Sequence, residues 1–309
     1  MVPAFSISRG ERIFGVANGL VVGLLCLVTL YPFYYMIITS LSDPVLGRGS
    51  YLWIKELYTV NYWLVFTTGG LGRAYLVTIL AVVCSVPLTL LVTGGAAFAL
   101  TRRHMRFRVL IIIYYLITMF FSGGLIPLYL VLKNVGLINT FWVLVLPEAF
   151  SVFTLIVMKT SFQAIPDSLV DSALIDGADY RKIFFRIMLP LSTATLAALG
   201  LFRAVRVWND WFAGAFFITD PRLKPLQTFL RLKVLEGGIM NIWWSIRRTD
   251  PETYKRLGLD PDLVEDLANI TPLSLKSAYI IVTTLPILAL YPFLQRYFVK
   301  GVLVGAIRE

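Results

Sequence analysis

Pro166-Asp167-Ser168-Leu169-Val170-Asp171-Ser172-Ala173-Leu174-Ile175-Asp176-Gly177-Ala178-Asp179-Tyr180-Arg181-Lys182-Ile183-Phe184-Phe185-Arg186-Ile187-Met188-Leu189-Pro190 is a polar island between two apolar runs. Its punctuation is that of two short helices joined by a glycine. Pro166 suits the first turn of a helix, and Asp167 favours the positive end of that turn. Leu169, Ala173 and Ile175 fall near one face. Gly177 supplies the left-handed residue at which a helix stops and the chain turns sharply. Tyr180, Phe184 and Ile187 or Met188 then recur at helical spacing, and Pro190 opens the next apolar run. Two readings stay open on pattern alone. The segment is either a compact knob offered to a partner or an amphipathic hairpin lying in lipid headgroups with its arginines on phosphate.

The surroundings of this island are those of a membrane protein. Of 309 residues, 58% are apolar and 15% charged, against about 45–50% and about 25% for a soluble domain. Mean hydropathy is +0.76. A helix crossing the hydrocarbon needs about 20 mostly apolar residues, and six runs qualify: about 13–41, 74–100, 109–132, 140–162, 191–218 and 273–298. The chain is therefore expected to be all-α and polytopic, one transmembrane domain over 1–309. In it 163–190 is a cytoplasmic loop and 219–272 an extracytoplasmic one. Runs of alternating hydropathy, the mark of a membrane β-barrel, do not appear.

Charge sets the orientation. Arg9 and Arg12 precede the first run, Arg102, Arg103, Arg106 and Arg108 follow the second, and Lys159, Arg181, Lys182 and Arg186 follow the fourth. Arg296, Lys300 and Arg308 end the chain. The opposite loops hold fewer bases, Arg48, Lys55, Arg73 and Lys133, so both termini are expected in the cytoplasm. The net charge of +10 is accounted for by such loops, and no nucleic acid partner is expected. His104, the lone histidine, sits in the most basic loop as a solvated residue. Cys26 and Cys84 lie inside apolar runs and offer no disulfide framework. Neither a phosphate-binding Gly-x-x-x-x-Gly-Lys-[Ser/Thr] loop nor a metal-ligand or nucleophile-elbow spacing is present, so transport or scaffolding is expected rather than bond chemistry.

The island also carries a resemblance. Its spacing is similar to the signature loop of ABC-importer permeases: Glu-Ala-Ala, three residues, Gly, nine residues, Ile-x-Leu-Pro. Here Asp171-Ser172-Ala173 stands for the triplet, with aspartate and serine as departures, Asp176-Gly177-Ala178 resembles the carbohydrate version, and Ile187, Leu189 and Pro190 close the motif. Phe120–Pro127 with Leu137–Thr140, Trp208-Asn209-Asp210-Trp211, and Gln295–Gly301 with Gly305–Arg308 resemble the MalG-like carbohydrate subgroup, its LplC- and YtcP-related oligosaccharide branch, and the MalG-like half of alginate importers. The resemblance implies a type I importer permease fold in the bacterial inner membrane and import of oligosaccharides by alternating access. It implies a MalF-like second permease, two ATP-binding cassette subunits and an extracytoplasmic solute-binding protein as partners, beside the bilayer. It also implies no cofactor in this chain, since ATP and Mg belong to those subunits. It assigns ATPase coupling to Asp171, Ala173, Asp176, Gly177, Ala178, Phe184, Ile187, Leu189 and Pro190.

Within the fifth run, Arg203, Arg206 and Asp210 lie at i, i+3 and i+7 with Asn209 beside them. Counting from Leu191, Arg203 sits roughly 18 Å in and Asp210 roughly 28 Å in. Charges at that depth face a cavity or a partner. Either the stripe, with Trp208 stacking on sugar, lines a wet path whose excess of positive charge suits an acidic saccharide, or Arg206 and Asp210 neutralise each other at i, i+4. Trp208 and Trp211, near the outer end, suit stacking on sugar faces and interface anchoring equally well. The competing function is an ion-coupled secondary transporter, for which Glu148 and Asp210 are the candidate carboxylates.

Overall fold

The computed structural model describes residues 9–43, 52–54, 56–67, 69–102, 105–234, 237–249, 253, 266–267 and 269–306, with side chains as far as residue 289 except Arg247. Arg48, Lys55, Arg103, His104 and Arg308, and the side chains of the closing motif, lie outside this set. Among the described residues the elements are helical, apart from one isolated bridge between Ser42 and Leu57.

Contacts divide the chain into two units, 1–68 with 233–282 and 69–232 with 283–309. In the first unit, α1 (Arg9–Leu41) is apolar along its length, and its most hydropathic window has nothing packed over it. Its C-terminal end instead meets α2 (Val60–Thr67) through polar groups. Asn61 Nδ2 donates to the Ser40 carbonyl at 3.0 Å, and Ser274 Oγ donates to Asn61 Oδ1 at 3.1 Å. The Ser40 and Tyr62 hydroxyls are 2.7 Å apart. Buried amides and hydroxyls are tolerated only when paired in this way. The Tyr58 hydroxyl donates to the Asp266 carbonyl. Burial, with the Asp266 and Asp43 carboxylates adding to it, pushes that phenol well above its ordinary range. The amphipathic α13 (Gly238–Arg248) buries Ile239 and leaves Met240 and Trp244 exposed.

The second unit is built on α3 (Leu71–Thr101), against which α6 (Val152–Gln163) and α10 (Thr193–Trp208) pack. Where α3 meets α6, Gly94 permits the approach, because a Cβ there would stand 2.7 Å from Met158 Cε and 3.4 Å from Phe184 Cζ. The core at this end joins Phe98 and Leu100 of α3 to Leu155, Met158 and Phe162 of α6.

The apolar runs are not all unbroken helices. Three, Arg9–Leu41, Leu71–Thr101 and Pro272–Ala289 of α14 (Pro272–Ala306), are long and apolar enough to cross a membrane, or up to five if each of two bent pairs counts as one span. The third run breaks into α4 (Arg108–Phe120) and α5 (Leu125–Asn134), bent by 115° across Phe121–Gly124, where Gly124 takes φ +85°. The fifth run begins at a bend, where the pieces Tyr180–Leu191 and Thr193–Phe216 meet at 84°, and within it the helix Thr193–Trp208 ends ahead of Asn209. The fourth run departs furthest from expectation. Only Phe141–Leu144, a single 3₁₀ turn, and the 12-residue α6 are helical, and between them the chain is irregular. Pro147 cannot donate a backbone bond there, and the Ser151 side chain accepts from the Thr154 amide at 3.3 Å to start α6 afresh. Among the described residues, three to five spans are formed where six unbroken runs were expected.

Candidate functional site

The polar island folds as the hairpin its glycine requires. α7 (Asp167–Ile175) ends at Asp176, and Gly177 follows with φ +77°. The Ala178 amide donates to the Ala173 carbonyl at 2.9 Å and the Gly177 amide to the Leu174 carbonyl at 3.1 Å. This is the six-to-one, five-to-two pairing of a Schellman turn. α8 (Tyr180–Ile183) then begins under a cap, the Asp179 carboxylate accepting from the Lys182 amide at 2.8 Å. It continues through a π-helical turn, Phe184–Met188, into α9 (Leu189–Leu191).

The hairpin lies only in part on the face first expected. Val170, with Ala173, turns toward the core, whereas Leu169 is exposed and Ile175 is 86% exposed. Of the expected face Ala173 does pack, while Val170 takes the place of Leu169. In the second arm Ile183, Phe184 and Met188 are buried, with Ala178, Ile187 and Leu189 half-buried beside them, and Tyr180 is exposed. Phe184 packs against Phe98 and Phe162, ring centres 5.7 and 6.4 Å apart. So Ala173, Ala178, Phe184, Ile187 and Leu189 hold the hairpin to the body, and Asp171, Asp176, Gly177 and Pro190 lie on its outer surface. That surface also carries Leu169, Ile175 and Phe185, apolar side chains left exposed.

The second group gathers where the fourth run is broken. Glu148 sits on the irregular segment, which α3 holds by two hydroxyls: Thr89 Oγ1 donates to the Glu148 carbonyl and the Ser151 amide donates to Thr93 Oγ1, both at 3.4 Å. Its carboxylate faces α10. Arg203 Nη1 donates to Glu148 Oε2 at 2.6 Å, Arg206 Nε to the same oxygen at 3.0 Å, and Arg206 Nη2 to Oε1 at 2.7 Å. The Arg206 contact is a two-pronged guanidinium–carboxylate pair, the strongest common form of such a bond. Side-chain exposures are 7% for Arg203, 71% for Arg206 and 47% for Glu148. One arginine is thus the buried floor of the group, and its open side belongs to Arg206 and Glu148.

Of the two alternatives left open for the stripe, direct pairing of Arg206 with Asp210 is not the arrangement found: Glu148 takes the fork, and Asp210 acts on Arg206 only at longer range. Asp210 instead accepts from the backbone amides of Phe212 and Ala213, at 2.8 and 3.2 Å, and starts α11 (Phe212–Phe216). Asn209 Nδ2 donates to the Val205 carbonyl of its own helix. Trp208 is 7% exposed, its ring 6.2 Å from that of Tyr75 and bordering an apolar cleft of about 690 Å³, so it is packed rather than offered to a sugar face. Nearby, Trp211 does meet a charge, with the Arg231 guanidinium of α12 (Leu226–Val234) 3.7 Å above its ring. Glu148 was visible in the sequence as the single carboxylate of its run, but no spacing rule links position 148 to 203 and 206. Among the described residues no group of three or more His, Cys, Asp or Glu converges to hold a metal.

Residues 69–304, which contain the hairpin, the broken run and the arginine pair, match the family model described as the binding-protein-dependent transport system inner membrane component. The chain belongs to that family. It is accordingly a non-catalytic permease subunit of an ABC importer, with the type I permease fold, and ATP hydrolysis falls to separate subunits. It is 36% identical over 303 residues to the protein LplC of Bacillus subtilis, covering 97% of each chain. It is 32% identical over 287 residues to the polygalacturonan/rhamnogalacturonan transport system permease protein YtcP of the same organism, covering 91% of this chain and 93% of that one. Among solved structures, a chain of a bacterial ABC transporter involved in the import of the acidic polysaccharide alginate superposes with a TM-score of 0.81 at 25% identity. The match covers 96% of this chain and 100% of that one.

Proposed function

We propose that this permease forms half of the path of an ATP-driven importer of acidic oligosaccharides, in the company of a second permease, two ATPase subunits and an extracytoplasmic solute-binding protein. The observation that carries the substrate class is the group at the broken run: the Arg206 fork stands on the open side, backed by the buried Arg203, with Glu148 seated on it and Asp210 within electrostatic reach. Irregular backbone at membrane depth is tolerated where it is buried in protein or lines a water-filled cavity, and buried charge needs a partner. A uronate carboxylate has the two-oxygen edge that the Arg206 fork pairs with. The names of YtcP and of the alginate transporter, both of which handle acidic polysaccharides, agree with this reading.

In the proposed topology six crossings follow the boundaries given above, with both termini in the cytoplasm; Tyr180–Leu191 belongs to the cytoplasmic hairpin and Thr193–Phe216 to the fifth crossing. The hairpin of α7–α9 faces the cytoplasm and docks on the ATPase through its apolar outer surface and Asp171. A proton-coupled carrier needs a carboxylate whose charge is free to change, and Glu148 is fastened to two arginines. The test is charge selection by the assembled importer in liposomes, comparing an oligouronate with its methyl ester. Arg206→Gln should slow uptake of the oligouronate about tenfold more than uptake of the ester, because a hydrogen bond to a charged group is worth about 1.5–3 kcal/mol. Equal slowing of both would refute the reading.

A further inference from the structure

We infer that Glu148 is a specificity-determining residue: it occupies the Arg206 fork in place of a substrate carboxylate and yields that fork when an acidic saccharide arrives. The inference rests on the acidic-oligosaccharide reading above and adds to it an internal competitor. Glu148 presents to Arg206 the same two-oxygen edge that a uronate presents, at 2.7 and 3.0 Å. The contact lies on the side left open in the isolated chain, with Arg206 71% and Glu148 47% exposed, so a second carboxylate can reach the fork.

Arg203 gives the displaced carboxylate somewhere to go. Only its Nη1 is engaged, while its Nε and Nη2 are buried with no acceptor. A buried guanidinium with two idle donors is costly. If Glu148 turns fully onto Arg203, those donors are filled and the Arg206 fork is released toward the open side. The buried arginine then stays neutralised throughout, and the charge offered to substrate is that of Arg206 alone. A neutral sugar cannot displace Glu148, so the fork stays closed to it.

The experiment uses the assembled importer in nanodiscs, with hydrolysis driven by the binding protein loaded with an oligouronate or its methyl ester, and membrane level recorded for each variant. Glu148→Gln should lower half-saturation for the oligouronate about tenfold, equivalent to about 1.4 kcal/mol, and Glu148→Asp should fall between it and the parent. A second readout does not require transport: galacturonate should raise the melting temperature of the purified Glu148→Gln complex more than that of the parent, and galactose should raise neither, since a ligand bound only to the folded state stabilises it. Unchanged or weakened oligouronate response, together with equal galacturonate shifts in parent and variant, would overturn the role of Glu148. If Arg206→Gln still selects against the oligouronate in that case, the acidic-substrate reading stands without it. If Arg206→Gln does not discriminate either, both fall.

Discussion

Substitution at Gly177 separates two ways in which the hairpin can fail. Its φ of +77° lies where an L-residue is strained, at a cost of roughly 1–2 kcal/mol, while a Cβ built there meets no atom within 4 Å. Within this chain the penalty is therefore conformational and owes nothing to space. Alanine should shift the ratio of turned to unturned hairpin by about 5–30-fold, the factor that 1–2 kcal/mol commands. Valine, stiff at its branched Cβ, should do worse. Asparagine, which visits the left-handed region, should be nearly tolerated although it is much larger than alanine. The expected order of coupling is thus Gly, Asn, Ala, Val. The assay needs three measurements on one preparation: membrane level, ATPase retained on purification, and substrate-stimulated hydrolysis. Membrane level should hold, because the buried contacts of Phe184, Ile183 and Met188 are untouched. A defect ordered by side-chain volume, with Gly177→Asn worse than Gly177→Ala, would refute the conformational argument and place the damage at a crowded docking contact.

Gly94→Ala should lower the melting temperature of the purified complex only slightly, because Met158 Cε, 2.7 Å from the new atom, is the far end of a flexible side chain. Gly94→Leu should cost about 1–3 kcal/mol as overpacking between α3, α6 and Phe184; equal melting temperatures for the two variants would contradict the close approach. Asn139→Ala should cost about 1–2 kcal/mol of stability. Asn139 holds φ +60° and accepts the Thr219 and Asp220 amides at 3.0 and 2.8 Å, and a melting curve unchanged from the parent would remove that role.

Gly177 was legible in the sequence because a helix stop is a local matter, decided by which residues tolerate a left-handed backbone. The face of α7 was less so. Leu169 and Val170 are both apolar, and only the core that also holds Phe162 and Ile183 chooses the second. Hydropathy located the apolar runs but missed their breaks, since it counts apolar residues and is blind to whether backbone groups pair along one axis. Pro147, Gly123 and Gly124 are each compatible with an unbroken membrane helix in isolation. The fourth run breaks because Thr89 and Thr93 of α3 take over its backbone bonds, 58 or 59 positions away. The same distance hid the partner of the arginines. The pairing of Arg206 with Asp210 followed from helical spacing, and it fails because Asp210 is engaged by the amides of the next short helix.

The 84° meeting of Tyr180–Leu191 with Thr193–Phe216 has the shape of a bell crank pivoted at Ser192. One arm is the second half of the cytoplasm-facing hairpin in the proposed topology, and the other carries Arg203 eleven residues, about 16 Å, from the pivot. A swing of about 10° at the pivot sweeps Arg203 through about 3 Å, longer than its 2.6 Å bond to Glu148. Glu148 sits on a different segment, tied to α3 by its own backbone bonds, so a turn of the arm along α3 is felt first where the two segments meet, at the ion pair.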